Sequence, residues 1–342
     1  MIFEDNEIDV IWQAINNNQI IFHPNYFPEG QLSYSILKDI QTTKNPVVFL
    51  DRNLLSSILN LARNGSLEDK NEQQLVALLM TWCITNGISI SSGPAIVEHA
   101  NHSKDQRKSQ IELQLFKDIF RFYPSMIWLR LFQGYIDKIP KFTGEVKEYK
   151  SNIDYTSPPN HVLMHTAEML HLVYLLRSKK MTRIERICAF LTWNYDNLLI
   201  CESTIVYVIL LLTNQEGIKA PKNSMSNDIN KIIRGCKNQA WDLNYLSEWS
   251  TFFYNEDQYP ELFLFATNDI LLKRILIETY AGDLNNLLTI LLDNKEFIEV
   301  EKIILEKGMR NRTKPNFGIN HSRYFYSLIE KEKKKIQKTI KI

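Results

Sequence analysis

PVVFLDRN, residues 46–53, and LFLFATND, residues 262–269, decide how this chain is read. Each is a short, almost unbroken apolar run that ends in an acid, Asp51 in the first and Asp269 in the second. Such runs mark strands buried on both faces of a parallel sheet. Two further acids stand out: Glu98 in AIVEHA and Asp242 in QAWDLNYLS, both read as lying at the opening of a helix. Open α/β sheets bind ligands beyond the carboxyl ends of their strands, so acids placed there converge on one crevice. Converging carboxylates repel one another and need a cation between them to ionise together. Ligands that are all oxygen suit a hard divalent ion, Mg²⁺ or Mn²⁺. Metal-dependent cleavage of a phosphodiester is the chemistry to expect.

Each acid also has a plainer reading. Asp51 fits a helix N-cap after a strand, and Asp242 would cap a helix beginning LNYLSEW. Glu98 is an acid in a first helical turn, where the dipole favours it, and Asp269 would start ILLKRILIETY for the same reason. A helical adaptor whose four acids never meet is therefore the bland alternative.

The order and local contexts of the acids resemble those of the PIN-domain nucleases. VVFLDRN supplies Asp51 and Asn53 at the end of a first strand. ISISSGPAIVEHA supplies Glu98 early in a helix after a second, QAWDLNYLS supplies Asp242 at a helix start, and LFLFATND supplies Thr267 and Asp269. Arg52 stands where a small hydroxyl residue is usual and Leu243 where a small residue is usual. The gap between Glu98 and Asp242 is far longer than in a minimal domain, so the resemblance covers residues 45–110 and 230–280. It implies a three-layer α/β/α domain with a mostly parallel central sheet, interrupted by a large all-helical insertion. It also implies a Mg²⁺- or Mn²⁺-dependent nuclease that acts on nucleic acid, RNA before DNA, of toxin, defence or RNA-processing type. A protein inhibitor or defence-complex partner would accompany such a role. A structure-specific DNA nuclease is the second reading. A PIN-like module that has lost catalysis and serves in RNA binding or assembly is the third.

On that reading Asp51, Glu98, Asp242 and Asp269 hold the metal, which lowers the pKa of a bound water and neutralises the leaving oxygen. Asn53 and Thr267 would orient those acids by hydrogen bonds. Lys273 and Arg274, one turn past Asp269, would contact phosphates or else line a solvated face. Arg52 would bind the scissile phosphate or pair with an acid and weaken metal binding.

The helical spacing sets the organisation. Residues 1–109 hold the first part of the α/β domain, 110–228 an almost wholly helical insertion acting as a cap, 229–300 the returning part and 301–342 a basic extension. HVLMHTAEMLH carries His161, His165, Glu168 and His171 on helical spacing, which zinc can use, yet without the HExxH order or a nearby thiolate. Packing histidines are the expectation there. Arg183, Glu185 and Arg186 read as a solvated face with ordinary ion pairs. Trp193, Tyr195, Trp241, Tyr245 and Trp249 would stack on bases or, as helical spacing favours, fill the core. The last twelve residues carry six lysines against one glutamate and read as a solvated helix end or tail.

Composition fits without deciding. With 44% hydrophobic and 23% charged residues, the chain has the make-up of a soluble globular protein. A formal charge of +1 gives no overall bias toward nucleic acid, so any basic surface is local. The start MIFEDNEID is not a secretory leader pattern and IVYVILLL is too short to span a bilayer. Four scattered cysteines without CxxC spacing read as free thiols. The expectation is a cytoplasmic protein with no membrane partner.

Overall fold

The structure, a computed structural model, describes residues 5–26, 33–144, 153–309 and 315–340. The chain begins α1 (Asp5–Asn18), β1 (Ile21–Phe22), α2 (Tyr34–Thr43), β2 (Asn45–Leu50), α3 (Arg52–Asn64), α4 (Lys70–Thr85) and β3 (Ser89–Ser91). There follow α5 (Gly93–Ser103), α6 (Gln106–Phe122), α7 (Ser125–Phe132), α8 (Asn160–Arg177), α9 (Arg183–Asn197), α10 (Glu202–Leu212) and α11 (Ile229–Tyr254). It ends β4 (Glu261–Ala266), α12 (Ile270–Leu276), α13 (Leu284–Leu291), α14 (Asn294–Ile303) and α15 (His321–Ile340). Among the described residues no helix is long and apolar enough to cross a membrane.

Two compact units divide the chain: residues 1–158 with 249–269, and 159–248 with 270–342. The first holds a four-stranded sheet of order β1-β4-β2-β3. β2 runs parallel to both β3 and β4, and only β1, at one edge, is antiparallel. The apolar runs of the sequence thus become the two central strands, with Val48, Phe49, Leu50, Leu264, Phe265 and Ala266 all buried. Their alignment, from Asn45 opposite Glu261 to Leu50 opposite Ala266, ends both strands at one level. The edges β1 and β3 are two and three residues long, which limits the exposed backbone that other chains can pair with. The fold is therefore α/β with a mostly parallel sheet, as read from the sequence.

The units divide the chain elsewhere than the sequence boundaries do. Residue 110 falls inside α6, and α6 packs on α5 while α7 packs on α4, all in the α/β unit. Trp128, Leu129 and Leu131 of α7 supply the buried face that fixes this. Residues 270–300, expected to return to the α/β domain, instead belong to the helical unit. The basic extension is likewise no loose tail. α15 packs along α8 and buries Phe325, Leu328, Ile329, Glu332 and Ile336. Lys341 lies outside the described residues.

Candidate functional site

The carboxyl edge of the parallel strands carries the best-defined cluster. Asp51 follows β2 directly and is the N-cap of α3, its Oδ1 accepting from the Leu54 N–H at 2.8 Å. Its N–H still donates to the Ala266 carbonyl, which fixes it beside the end of β4. Thr267, one residue past β4, donates its hydroxyl to Asp51 Oδ2 at 2.5 Å and accepts from the Asp269 N–H at 3.0 Å. One hydroxyl thus bonds both the Asp51 carboxylate and the Asp269 backbone. Asp51 is only 2% exposed. Burial pushes its pKa up to about 6, partly offset by the bonds from Thr267 and Leu54, with Asp269 adding repulsion. Asp269 itself is half-buried. Asn53 has an exposed side chain, and its backbone bonds to Asp51.

Glu98 lies in α5, the helix that follows β3, and is half-buried. Three acids therefore follow three adjacent parallel strands, two of them joined through Thr267. Asp242 stands differently. It is half-buried midway along α11, which begins at Ile229, and it belongs to the helical unit. The sequence expectation of a helix start at Asp242 is corrected: SNDIN opens the helix earlier, and Asp228 rather than Asp242 accepts from a first-turn N–H, that of Asn230. Asp242 Oδ2 accepts from Gln239 at 3.4 Å. Lys273 and Arg274 lie on α12 in the same unit, Arg274 pairing with Glu278 at 3.4 Å.

Arg52 is ion-paired, with a partner the sequence did not single out. Its guanidinium reaches Glu112 Oε2 at 2.8 Å and Oε1 at 3.3 Å, and approaches His99 Nδ1 at 3.3 Å. Arg63 approaches the same carboxylate at 3.7 Å. Two guanidiniums around one carboxylate leave local positive charge. Arg52 and Arg63, with Lys108, add to the burial that lowers the His99 pKa, while Glu112 opposes them. A signal for Glu112 existed: it lies on the stripe of Leu115, Phe116 and Ile119 that α6 buries, where a lone acid needs a cation.

The other candidates have their partners within the fold. His165 pairs with Glu168, and His171 with Glu332, rather than with one another around zinc. Trp193, Tyr195, Trp241, Tyr245 and Trp249 are all buried. Trp249 donates to the Phe263 carbonyl and stacks on Phe253, so it is core and not a platform for bases. Glu185 completes a capping box with Thr182, Arg186 donates to the Leu175 and Ser178 carbonyls, and Arg183 pairs with Glu296.

Among the described residues no group of three or more His, Cys, Asp or Glu side chains is arranged to hold a metal ion. A pair is nonetheless the set that Mg²⁺ uses, since it keeps several waters and binds through one or two carboxylates with substrate phosphates completing its shell. Asp51 and Asp269, all oxygen and mutually repelling, fit that requirement in their donor chemistry. No family model, curated protein or solved structure matches the chain.

Proposed function

We propose that the protein is a Mg²⁺- or Mn²⁺-dependent nuclease, of three-layer PIN-like type, that hydrolyses phosphodiester bonds in RNA at the carboxyl edge of its sheet. One observation carries this reading: Asp51 and Asp269 follow neighbouring parallel strands, the Thr267 hydroxyl bonds the carboxylate of the first and the backbone N–H of the second, and the two acids repel. Asp51 and Asp269 would hold the ion, with Glu98 reached through water. The ion would supply an activated water and charge neutralisation at phosphorus. The chain's own residues do the rest. Thr267 and the Leu54 N–H fix the Asp51 carboxylate in one orientation. Arg52 and Arg63, only half-neutralised by Glu112, draw the phosphate backbone toward the edge.

A second reading has one observation in its favour: both Asp51 oxygens already accept bonds from within the protein. On that reading the edge binds RNA through Arg52 and Arg63 without cutting it. Incubation of end-labelled single-stranded RNA and DNA with wild type, Asp51→Asn and Asp269→Asn, in Mn²⁺ and in EDTA, separates the two. The nuclease reading expects RNA cleavage in Mn²⁺ alone, and a loss of several kcal/mol, on the order of 10³-fold, in both variants. RNA retained but uncut by wild type in Mn²⁺ would leave the binding module.

A further inference from the structure

The helical unit contains a second chemical arrangement, independent of the acids at the sheet edge. α8 places His165 and Glu168 three residues apart, with His165 Nδ1 2.7 Å from Glu168 Oε2. Glu168 also accepts from Asn194 Nδ2 at 2.6 Å and from the Thr204 hydroxyl at 3.1 Å. On the other side of the imidazole, His165 Nε2 lies 2.8 Å from the Ser247 hydroxyl of α11. Ser247 Oγ lies 3.3 Å from the Cys201 sulfur.

With a neutral imidazole, the following order of protons satisfies every member. A buried carboxylate accepts only, so Nδ1 of His165 carries a proton toward Glu168. Nε2 is then an acceptor and takes the Ser247 O–H, which leaves Ser247 Oγ to accept the Cys201 S–H. The series is thiol, hydroxyl, imidazole, carboxylate. His165, Glu168, Thr204 and Ser247 are buried, and Cys201, at the outer end of the series, is half-buried as a residue with its sulfur turned inward. Asn194, Thr204 and His165 already satisfy Glu168. The extension through Ser247 to a thiol is more than burial of that acid requires.

The thiol's position supports the same conclusion. Cys201 is the N-cap of α10, and Thr204 of the first turn also acts on its sulfur. The first N–H groups of a helix have no intrahelical acceptor, and the dipole there favours negative charge, which suits a developing oxyanion. Burial first, and then the Glu168 charge, push the Cys201 thiol up. It rests protonated and needs a base at the moment of attack.

We infer that Cys201 is the nucleophile of an acyl-transfer site, with His165 as its base through Ser247, Glu168 holding the imidazole, and an activated ester or thioester as the substrate class. In the first half Sγ bonds to the acyl carbon, its proton passes to Ser247 Oγ, and the Ser247 proton passes to His165 Nε2. The bond from the acyl carbon to the leaving oxygen or sulfur breaks, and that atom takes the Ser247 proton, which His165 replaces. In the second half water gives a proton to Ser247 Oγ as it attacks the thioester, and the Ser247 proton passes to His165 Nε2. The C–S bond then breaks, the acid is released and Cys201 recovers its proton through Ser247.

The test uses the full chain and p-nitrophenyl acetate, with acetylated cysteines located by peptide mass spectrometry and nitrophenolate release followed in parallel. Wild type should acetylate Cys201 faster than Cys188, a half-buried thiol outside the series. His165→Gln should slow Cys201 acetylation on the order of 10²-fold, the usual worth of a general base, without changing Cys188. Ser247→Ala, which removes one oxygen and keeps the backbone, gives the decisive rate if His165→Gln melts early. It should slow Cys201 alone. A Cys201 that stays unmodified in the native wild type would overturn the inference. Equal Cys201 rates in wild type and Ser247→Ala would do the same, since the series would then be structural.

Discussion

Asp51 in the α/β unit and Glu332 in the helical unit are both buried carboxylates, yet their surroundings push them in opposite directions. Asp51 accepts from neutral donors, the Thr267 hydroxyl and the Leu54 N–H, and its charged neighbour is another acid, Asp269. Its pKa rises to about 6. Glu332 feels a burial penalty as well, but His171 Nδ1 at 2.9 Å and Lys335 Nζ at 2.7 Å more than offset it, and it lies below the usual carboxylate range. Burial alone does not set the charge state; the partners do. Glu332 has a charged partner in Lys335, beside His171, whose own pKa burial lowers. At the sheet edge the acid has a like charge instead, which is the arrangement a bound cation relieves.

The largest effect that can break this comparison comes from Asp51→Asn in metal-free buffer. A pKa raised from 3.8 to about 6 contributes stability below the lower value and loses it as pH rises through the upper one. At pH 8 the charge therefore costs up to about 3 kcal/mol, at roughly 1.4 kcal/mol per unit, and Asn removes that cost. Urea melts should show the variant more stable than wild type at pH 8, with most of the gain gone at pH 4. An equal gain at both pH values would mean that charge is not the cause.

Glu332→Gln should act in the opposite sense. It weakens the bonds to His171 and Lys335 and should cost about 2 kcal/mol at pH 7 in the same melts. No loss would show that α15 holds to α8 through its apolar face alone. Thr267→Val sharpens the picture of the sheet edge: without that hydroxyl the Asp51 pKa should climb further, by about one unit or 1.4 kcal/mol. Titration of the Asp51 carboxyl carbon by NMR reads this directly, and an unmoved pKa would make the hydroxyl idle. The smallest effect concerns the lysines of α15. Because the helix is packed, deleting it would disrupt the unit, so the test is Lys331, Lys334 and Lys338, all exposed, changed to Gln. If they meet RNA, the log–log salt slope should flatten by at most about 0.7 per phosphate released. Superimposable lines would assign them to solubility.

What was legible in the sequence follows from the range of the forces involved. β2 and β4 could be read because a strand buried on both faces must be apolar throughout, and the acids that end them mark the edge. The membership of α6 and α7 could not. An amphipathic stripe says that a face is covered, without saying by which element. Arg52 and Glu112 are sixty residues apart, and only the fold makes them a pair. Asp242 misled because a helix start and a helix interior differ in capping bonds, which one acidic letter does not display. Ser247 and Cys201 gave no sign at all, since a serine on an apolar helix face and a cysteine before an apolar helix are ordinary in composition. The histidines of α8 were read as packing residues, and their bonding partners came only with the structure.

Calorimetric titration of Mn²⁺ into the metal-free protein tests the central claim most directly, with wild type, Asp51→Asn and Asp269→Asn compared at pH 7.5 after thermal melts confirm that each is folded. The account predicts a binding isotherm for wild type and its loss, or a weakening of at least about tenfold, roughly 1.4 kcal/mol, in each variant. Equal Mn²⁺ affinity in wild type and Asp51→Asn would contradict it.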